Sequence, residues 1–369
     1  MTSRPDTGTH GQARRRYIDW ARGIAVLIMI EAHVLDAWTL RSERSTAAFG
    51  YLNILGGFAA PMFLWLAGLS LVLAAERSRL RTGDRAVAGR ALIRRGLEIF
   101  ALAFIFRAQS FIVSPGNPLV SLLRVDILNI MGPSMMGAAL LWWVAGGGRT
   151  AATLCGAAAA TLSLVTPLVR SASWLPLLPP AVQWYISPAG NHSTFTLFPW
   201  AGFVFAGAAC GAVLSLAERY QEARALRLLA LAGAAIAAGS FHLSYRPSIY
   251  ASSAFWTTSP TYFGLRVGLL MLGLAGFRAL EPVAQRWEAG FSILARMGRH
   301  SLLIYWIHVE LVYGYATALI HHRLSLPANA VAYMLLCALM YGSLHLRDHL
   351  VAWWQGRGGA GATPETLGA

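Results

Sequence analysis

RGIAVLIMIEAH, residues 22–33, holds nine apolar or glycine residues and reads as the opening of a membrane helix. Ionisable groups frame it: Arg22 at its start, Glu31 and His33 at its end. Such groups are costly in hydrocarbon, and where they occur they tend to pair or to face cavities. Steps of three and four residues place Asp19, Arg22, Val26, Met29, His33 and Asp36 on one stripe of the helix. His33 lies roughly 16 Å beyond Arg22 at 1.5 Å per residue, near the middle of a hydrocarbon core about 30 Å thick. A packing histidine would also fit this position, but the membrane setting favours function. Glu31 stands about 200° round the helix from His33 and is expected to meet an arginine of another helix. Asp19 and Arg22 read either as an interfacial salt bridge or as a polar entrance below His33.

Composition agrees with a membrane chain. Of the 369 residues 56% are hydrophobic and 12% charged, with mean hydropathy +0.51, whereas soluble domains carry about 25% charge. The net charge of +14 comes from arginine alone, since all thirty basic residues are Arg. They cluster in short connections between apolar runs, with no basic stripe interleaved with stacking aromatics, so no nucleic-acid partner is expected. Cys155, Cys210 and Cys337 fall inside apolar runs without metal-ligand spacing and read as buried free thiols; no metal site is expected. The polar start lacks a cleavage signature after the first apolar run, which reads as a retained helix and not as a signal peptide.

The sequence predicts an all-α, polytopic helix bundle with about ten membrane spans near 23–40, 51–75, 96–113, 121–145, 151–169, 195–217, 226–245, 261–280, 301–320 and 328–346. Residues 17–355 form one membrane domain between disordered tails, 1–16 and 356–369. Arginine is concentrated in alternate connections, including Arg77, Arg79, Arg81, Arg85, Arg90, Arg94 and Arg95, which puts both termini in the cytoplasm. A multi-pass protein of the cell membrane is expected, and a homo-oligomer is compatible with the sequence. Trp20, Trp142, Trp143, Trp287, Trp353 and Trp354 are expected at the inner interface, with Trp38, Trp174, Trp184 and Trp256 at the outer one.

Three further clusters carry chemistry. In GRHSLLIYWIHVEL (298–311), Ser301, Tyr305 and His308 share a face, and His308 sits about 13 Å beyond Arg299. His308 reads equally as a packing histidine and as a second cavity histidine. Arg107, Gln109, Arg124, Asp126, His242 and Arg266 lie near the opposite, outer surface. With Asn191, His192 and Ser193 of SPAGNHSTFTLFPW (187–200) they form an expected polar vestibule suited to a hydroxyl-rich ligand. In GRALIRRGLEIF (89–100), Arg90, Arg94 and Arg95 serve either topology or as an anion clamp. No Walker loop, HExxH, GxSxG or dinucleotide fingerprint stands in a convincing context.

IDWARGIAVLIMIEAH (18–33) has the form D-x-x-R, ten residues, then H. It resembles the opening motif of the transmembrane acyltransferase superfamily, which includes acyltransferase family three. GGFAAPMFLWLAGLSLVLA (56–74), RVDILNIMG (124–132), TLFPWAGFVFAGAACG (196–211) and MGRHSLLIYWIHVELVYG (297–314) are similar to relatives built on the heparan-alpha-glucosaminide N-acetyltransferase catalytic domain. The resemblance implies a membrane enzyme that uses cytosolic acetyl-CoA to acylate a glycan on the far side. It makes His33 the catalytic histidine and Asp19 and Arg22 the acid and base of the opening motif. From their positions beside His33, Asp36, one turn outward, is expected to orient His33 or the acceptor, and His308 to assist. Asp19, Arg22, Arg90, Arg94 and Arg95 fall on the donor side, and Arg107, Arg124, Asp126, His192 and Arg266 on the acceptor side. In the glucosaminide branch Asn can replace that first histidine, with a working histidine in the following loop. Residues 39–50 here contain none, which leaves His33 as the candidate. A transporter or flippase for a polar or lipid-linked sugar would use the same buried charges. It is disfavoured because no inverted repeat or pair of broken helices is visible.

Overall fold

The structure, a computed structural model, describes residues 15–113 and 118–359, apart from the side chains of Arg219 and residues 356–359. Its α-helices are α1 (Arg16–Trp38), α2 (Ala47–Gly56), α3 (Ala59–Thr82), α4 (Arg85–Val113), α5 (Ile127–Val144), α6 (Gly148–Arg170), α7 (Pro180–Ile186), α8 (Leu197–Leu216), α9 (Glu222–Ser244), α10 (Pro260–Ala279), α11 (Glu281–Arg286), α12 (Glu288–Arg299), α13 (Ser301–Tyr313) and α14 (Leu326–Gly359). No strand occurs among the described residues, only two isolated bridges. The protein is an all-α, multi-pass membrane bundle.

Eight helical stretches among the described residues are long and apolar enough to cross a bilayer. The two remaining expected spans coincide with α1 and α13, which do not qualify alone. α1 carries the polar stripe, and α13 has only 13 residues. Of the expected tails 1–16 and 356–369, residues 1–14 and 360–369 lie outside the described residues. Inside those limits α1 already begins at Arg16 and α14 continues to Gly359. Trp20 and Trp142 are fully buried and do not sit at a lipid interface. Trp142 donates to Glu76 at 2.8 Å beneath the Arg85 guanidinium.

Small residues let these helices approach closely, as association within lipid requires. At the α3–α8 crossing a methyl group on Gly68 would collide with the Val204 carbonyl, and one on Gly207 with the Trp65 carbonyl. α1 lies between two packed clusters. One joins it to α3, α4, α5, α8 and α10, the other to α13 and α14.

Several contacts set the height of α1. Near its start Gly298 of α12 lies against the Asp19 carbonyl. At its far end the Trp38 indole donates to the Val312 carbonyl at 3.1 Å. Beyond it Leu40 N–H donates to the Leu324 carbonyl at 2.8 Å and Leu324 N–H to the Trp38 carbonyl at 2.9 Å. α1 and α13 therefore run side by side in the same direction, and α3 runs opposite, with Arg22 donating to Ser70.

Candidate active site

A cavity of about 810 Å³ follows α1 from Arg22 to Asp36, a path of roughly 21 Å. Ligand pockets are typically about 300–1,000 Å³. At one mouth it is lined by Arg22, Ser70, Arg95 and Ser301. At the other it is lined by Asp36, Arg107, Arg124, Asp126, Arg266 and Glu310, with Trp256 nearby. His33 lines the wall between the two.

The α1–α13 register brings the two histidines together. His33 Nδ1 and His308 Nε2 are 2.8 Å apart, and His308 is fully buried. On its other side His308 Nδ1 lies 2.7 Å from the Ile304 carbonyl oxygen. A carbonyl only accepts, so His308 carries its proton on Nδ1. In the neutral pair His308 Nε2 is then a lone pair, and it accepts from His33 Nδ1–H. His33 is left with its own lone pair on Nε2, the form a general base or nucleophile needs. A backbone carbonyl thus fixes the tautomer of both rings.

Asp36 is not the group that orients His33. It accepts from the Tyr313 hydroxyl at 3.0 Å and pairs with Arg44 at 3.4 Å. Tyr313 in turn stands edge-on to the His33 ring, centroids 5.5 Å apart. Glu31 faces Gly56 of α2. Both its carboxylate oxygens are buried without a hydrogen-bond partner, so the arginine expected for it does not arrive.

At the Arg22 mouth, Arg22 donates to buried Asp19 at 3.3 Å and to Ser70. Of Arg90, Arg94 and Arg95 near the start of α4, only Arg95 lines the cavity. Arg94 is 82% exposed and reaches Glu98 at 3.2 Å, while Arg90 is exposed outside the wall. At the opposite mouth Arg107 is ion-paired with Asp126. Arg124 lies 3.6 Å from the same carboxylate and donates to Thr194 at 2.9 Å. Asp126 is held at the start of α5, where its N–H donates to the Asn129 side chain at 3.0 Å. Parallel bonds from Val125 N–H to the His192 carbonyl (2.9 Å) and from Thr194 N–H to the Val125 carbonyl (3.0 Å) hold the 192–194 segment there. The His192 ring itself turns away from the cavity and stacks on Trp184, centroids 4.5 Å apart.

Tyr313, Glu310 and Ser70 join the site although the sequence did not single them out. Glu310 had a signal, an ionisable group two residues after His308 in an apolar helix. Ser70 had none, because serine is ordinary in packed membrane helices. Among the described residues no three metal-ligating side chains converge.

The family model described as Heparan-alpha-glucosaminide N-acetyltransferase, catalytic, matches residues 14–245, more than half of the chain. The chain belongs to this family. None of the curated proteins compared with it matches. Membership of the N-acetyltransferase family makes the protein a membrane acyltransferase. The matched segment carries α1 to α9, and with them His33, Asp36, Arg22, Arg95, Arg107, Arg124 and Asp126. His308 and Arg266 lie beyond it and enter the same site through packing.

Proposed function

We propose that the protein transfers an acetyl group from cytosolic acetyl-CoA to a hydroxyl or amine of an extracytoplasmic carbohydrate. The observation that carries this reading is the position of His33, paired with His308, on the wall of a cavity that has charged groups at both ends. The Arg22 mouth adjoins the arginine-rich α3–α4 connection, and the positive-inside rule assigns such a connection to the cytoplasm. Both termini are then cytoplasmic, the cell membrane is the location, and residues 17–355 act as one membrane domain. Arg95 and Arg22 are the groups suited to the donor's phosphates, with Asp19 steadying Arg22. Arg90 and Arg94 serve topology.

In the reaction His33 Nε2 takes the proton of the acceptor O–H or N–H. The acceptor's oxygen or nitrogen forms a bond to the thioester carbonyl carbon, and the C–S bond breaks. The departing thiolate receives the proton from the His33 imidazolium. His308 holds the ring through Nδ1 throughout. Asp36 and Tyr313 shape the acceptor side of the same chamber, with Arg107, Arg124 and Asp126 behind them.

Transfer of labelled acetyl from acetyl-CoA to surface carbohydrate, followed in cells with and without the protein, tests the reading. A gain of one acetyl group on a glycan is expected. Wild-type protein that neither binds CoA nor transfers acetyl, yet moves a sugar across vesicles, would replace this reading with a transporter.

A further inference from the structure

Arg266 stands apart from every other cation at its mouth of the cavity. Arg107 and Arg124 share Asp126, and Arg44 has Asp36. Arg266 has no carboxylate partner among the described residues, and Glu310, the remaining acid in that wall, makes no ion pair with it. Yet the side chain is only 8% exposed and lines the cavity. It sits six residues into α10, roughly 9 Å along the helix.

Its surroundings are neutral. The guanidinium donates to the Tyr262 hydroxyl, and its carbon lies 4.0 Å from the Tyr262 ring centroid and 5.8 Å from that of Phe58. Nε is buried with no hydrogen-bond partner. Gly57 leaves room for the head group, since a β-carbon there would stand 3.0 Å from Nη2. Counted over this mouth together with Arg44, the partner of Asp36, four arginines (Arg44, Arg107, Arg124 and Arg266) face three carboxylates (Asp36, Asp126 and Glu310), an excess of one positive charge.

A buried cation held only by aromatic faces and one phenol is poorly compensated. A cation serving as glue between helices would be expected to face a carboxylate or several carbonyls. The planar fork of arginine matches an oxyanion that offers two oxygens. One such oxyanion neutralises the excess. Trp200 and Trp256 line the same wall.

We infer that the acceptor carries a singly charged oxyanion, a sugar carboxylate or a phosphodiester, and that it docks on Arg266 with its reacting group toward His33. This inference rests on the acyltransferase reading for the word acceptor, though not for the binding itself.

Calorimetry on the full-length protein in detergent tests it with two matched pairs of probes. Glucuronic acid is set against glucose, and glycerophosphoglycerol against glycerol. At least one anion should bind on the order of tenfold or more tighter than its neutral counterpart, the scale of one charged hydrogen bond. Which anion does so distinguishes an acidic sugar from a lipid-type phosphodiester. Arg266→Gln should erase the preference and leave binding of the neutral probe unchanged. Arg266→Lys keeps the charge without the fork and should retain part of it. Tyr262→Phe guards against a simple folding defect: it keeps the cation, and the preference should survive. Equal binding of charged and neutral probes to wild type, binding of neither anion, or an undiminished preference in Arg266→Gln would overturn the inference. Acetyl transfer on the same preparation is a separate readout. An anion preference without transfer would keep the oxyanion site and remove the enzymatic reading.

Discussion

The chain of two imidazoles ending on the Ile304 carbonyl divides the labour between His33 and His308. One ring meets the cavity, and the other, fully buried, sets its proton. His33→Ala should lower acetyl transfer by about 10²–10⁴-fold, the usual contribution of a general base. His33→Asn should be as inactive while keeping size and some hydrogen bonding. CoA binding and melting temperature should stay near wild type in at least the asparagine variant. A His33→Ala protein that melts normally and transfers at the wild-type rate would remove His33 from the mechanism. His308 has a distinct signature. Gln at position 308 can still offer an oxygen to His33 Nδ1–H, whereas Leu cannot. His308→Gln should retain a larger kcat than His308→Leu at similar KM for acetyl-CoA, and equal loss in both would reduce His308 to packing.

Helices set which of several equivalent residues reaches the site. Both Arg94 and Arg95 reach Glu98, at 3.2 and 3.1 Å, but α4 presents only Arg95 to the cavity and leaves Arg94 the more exposed. Arg95→Ala should therefore weaken CoA binding by about 1.5–3 kcal/mol, the worth of a charged hydrogen bond, while Arg94→Ala leaves it nearly unchanged. Titration calorimetry with CoA separates the two, and equal effects would reject the assignment. At the α3–α8 crossing, Gly207→Ala should destabilise the bundle by about 1–3 kcal/mol through overpacking. A thermal shift assay reads this, and an unchanged melting temperature would mean that the crossing relaxes freely. The stripe from Arg22 through His33 to Asp36 was legible in the sequence because helical periodicity belongs to a single chain segment. Apolar runs likewise coincide with the helices to within a few residues at most ends. Partner choice was not legible. His308 and not Asp36 bonds His33, no arginine meets Glu31, and the His192 ring lies on Trp184. Each depends on how far one helix or loop is rotated or shifted against another, which no spacing within one segment determines.

For the molecule as a whole, the first matter is sidedness. With Cys155, Cys210 and Cys337 replaced, single cysteines at exposed Thr82 and Asn191 can be challenged on intact cells with an impermeant thiol reagent. Labelling at Asn191 alone is expected, and labelling at Thr82 alone would reverse the direction of acetyl transfer. A second whole-molecule property follows from α1. It holds His33, but it is not among the helices apolar enough to qualify as a span by themselves. Its polar stripe is acceptable in lipid only once it is covered, and the cover includes α12 and α13, more than 240 residues later in the chain. During synthesis, then, α1 emerges well before α12 and α13 and is among the described helices least able to remain in the bilayer unaided. The ribosome must go on to produce α12 and α13 before that helix is fully at home, and the same late arrival of α13 completes the histidine pair, so on the proposed function nascent chains stay silent until the bundle closes.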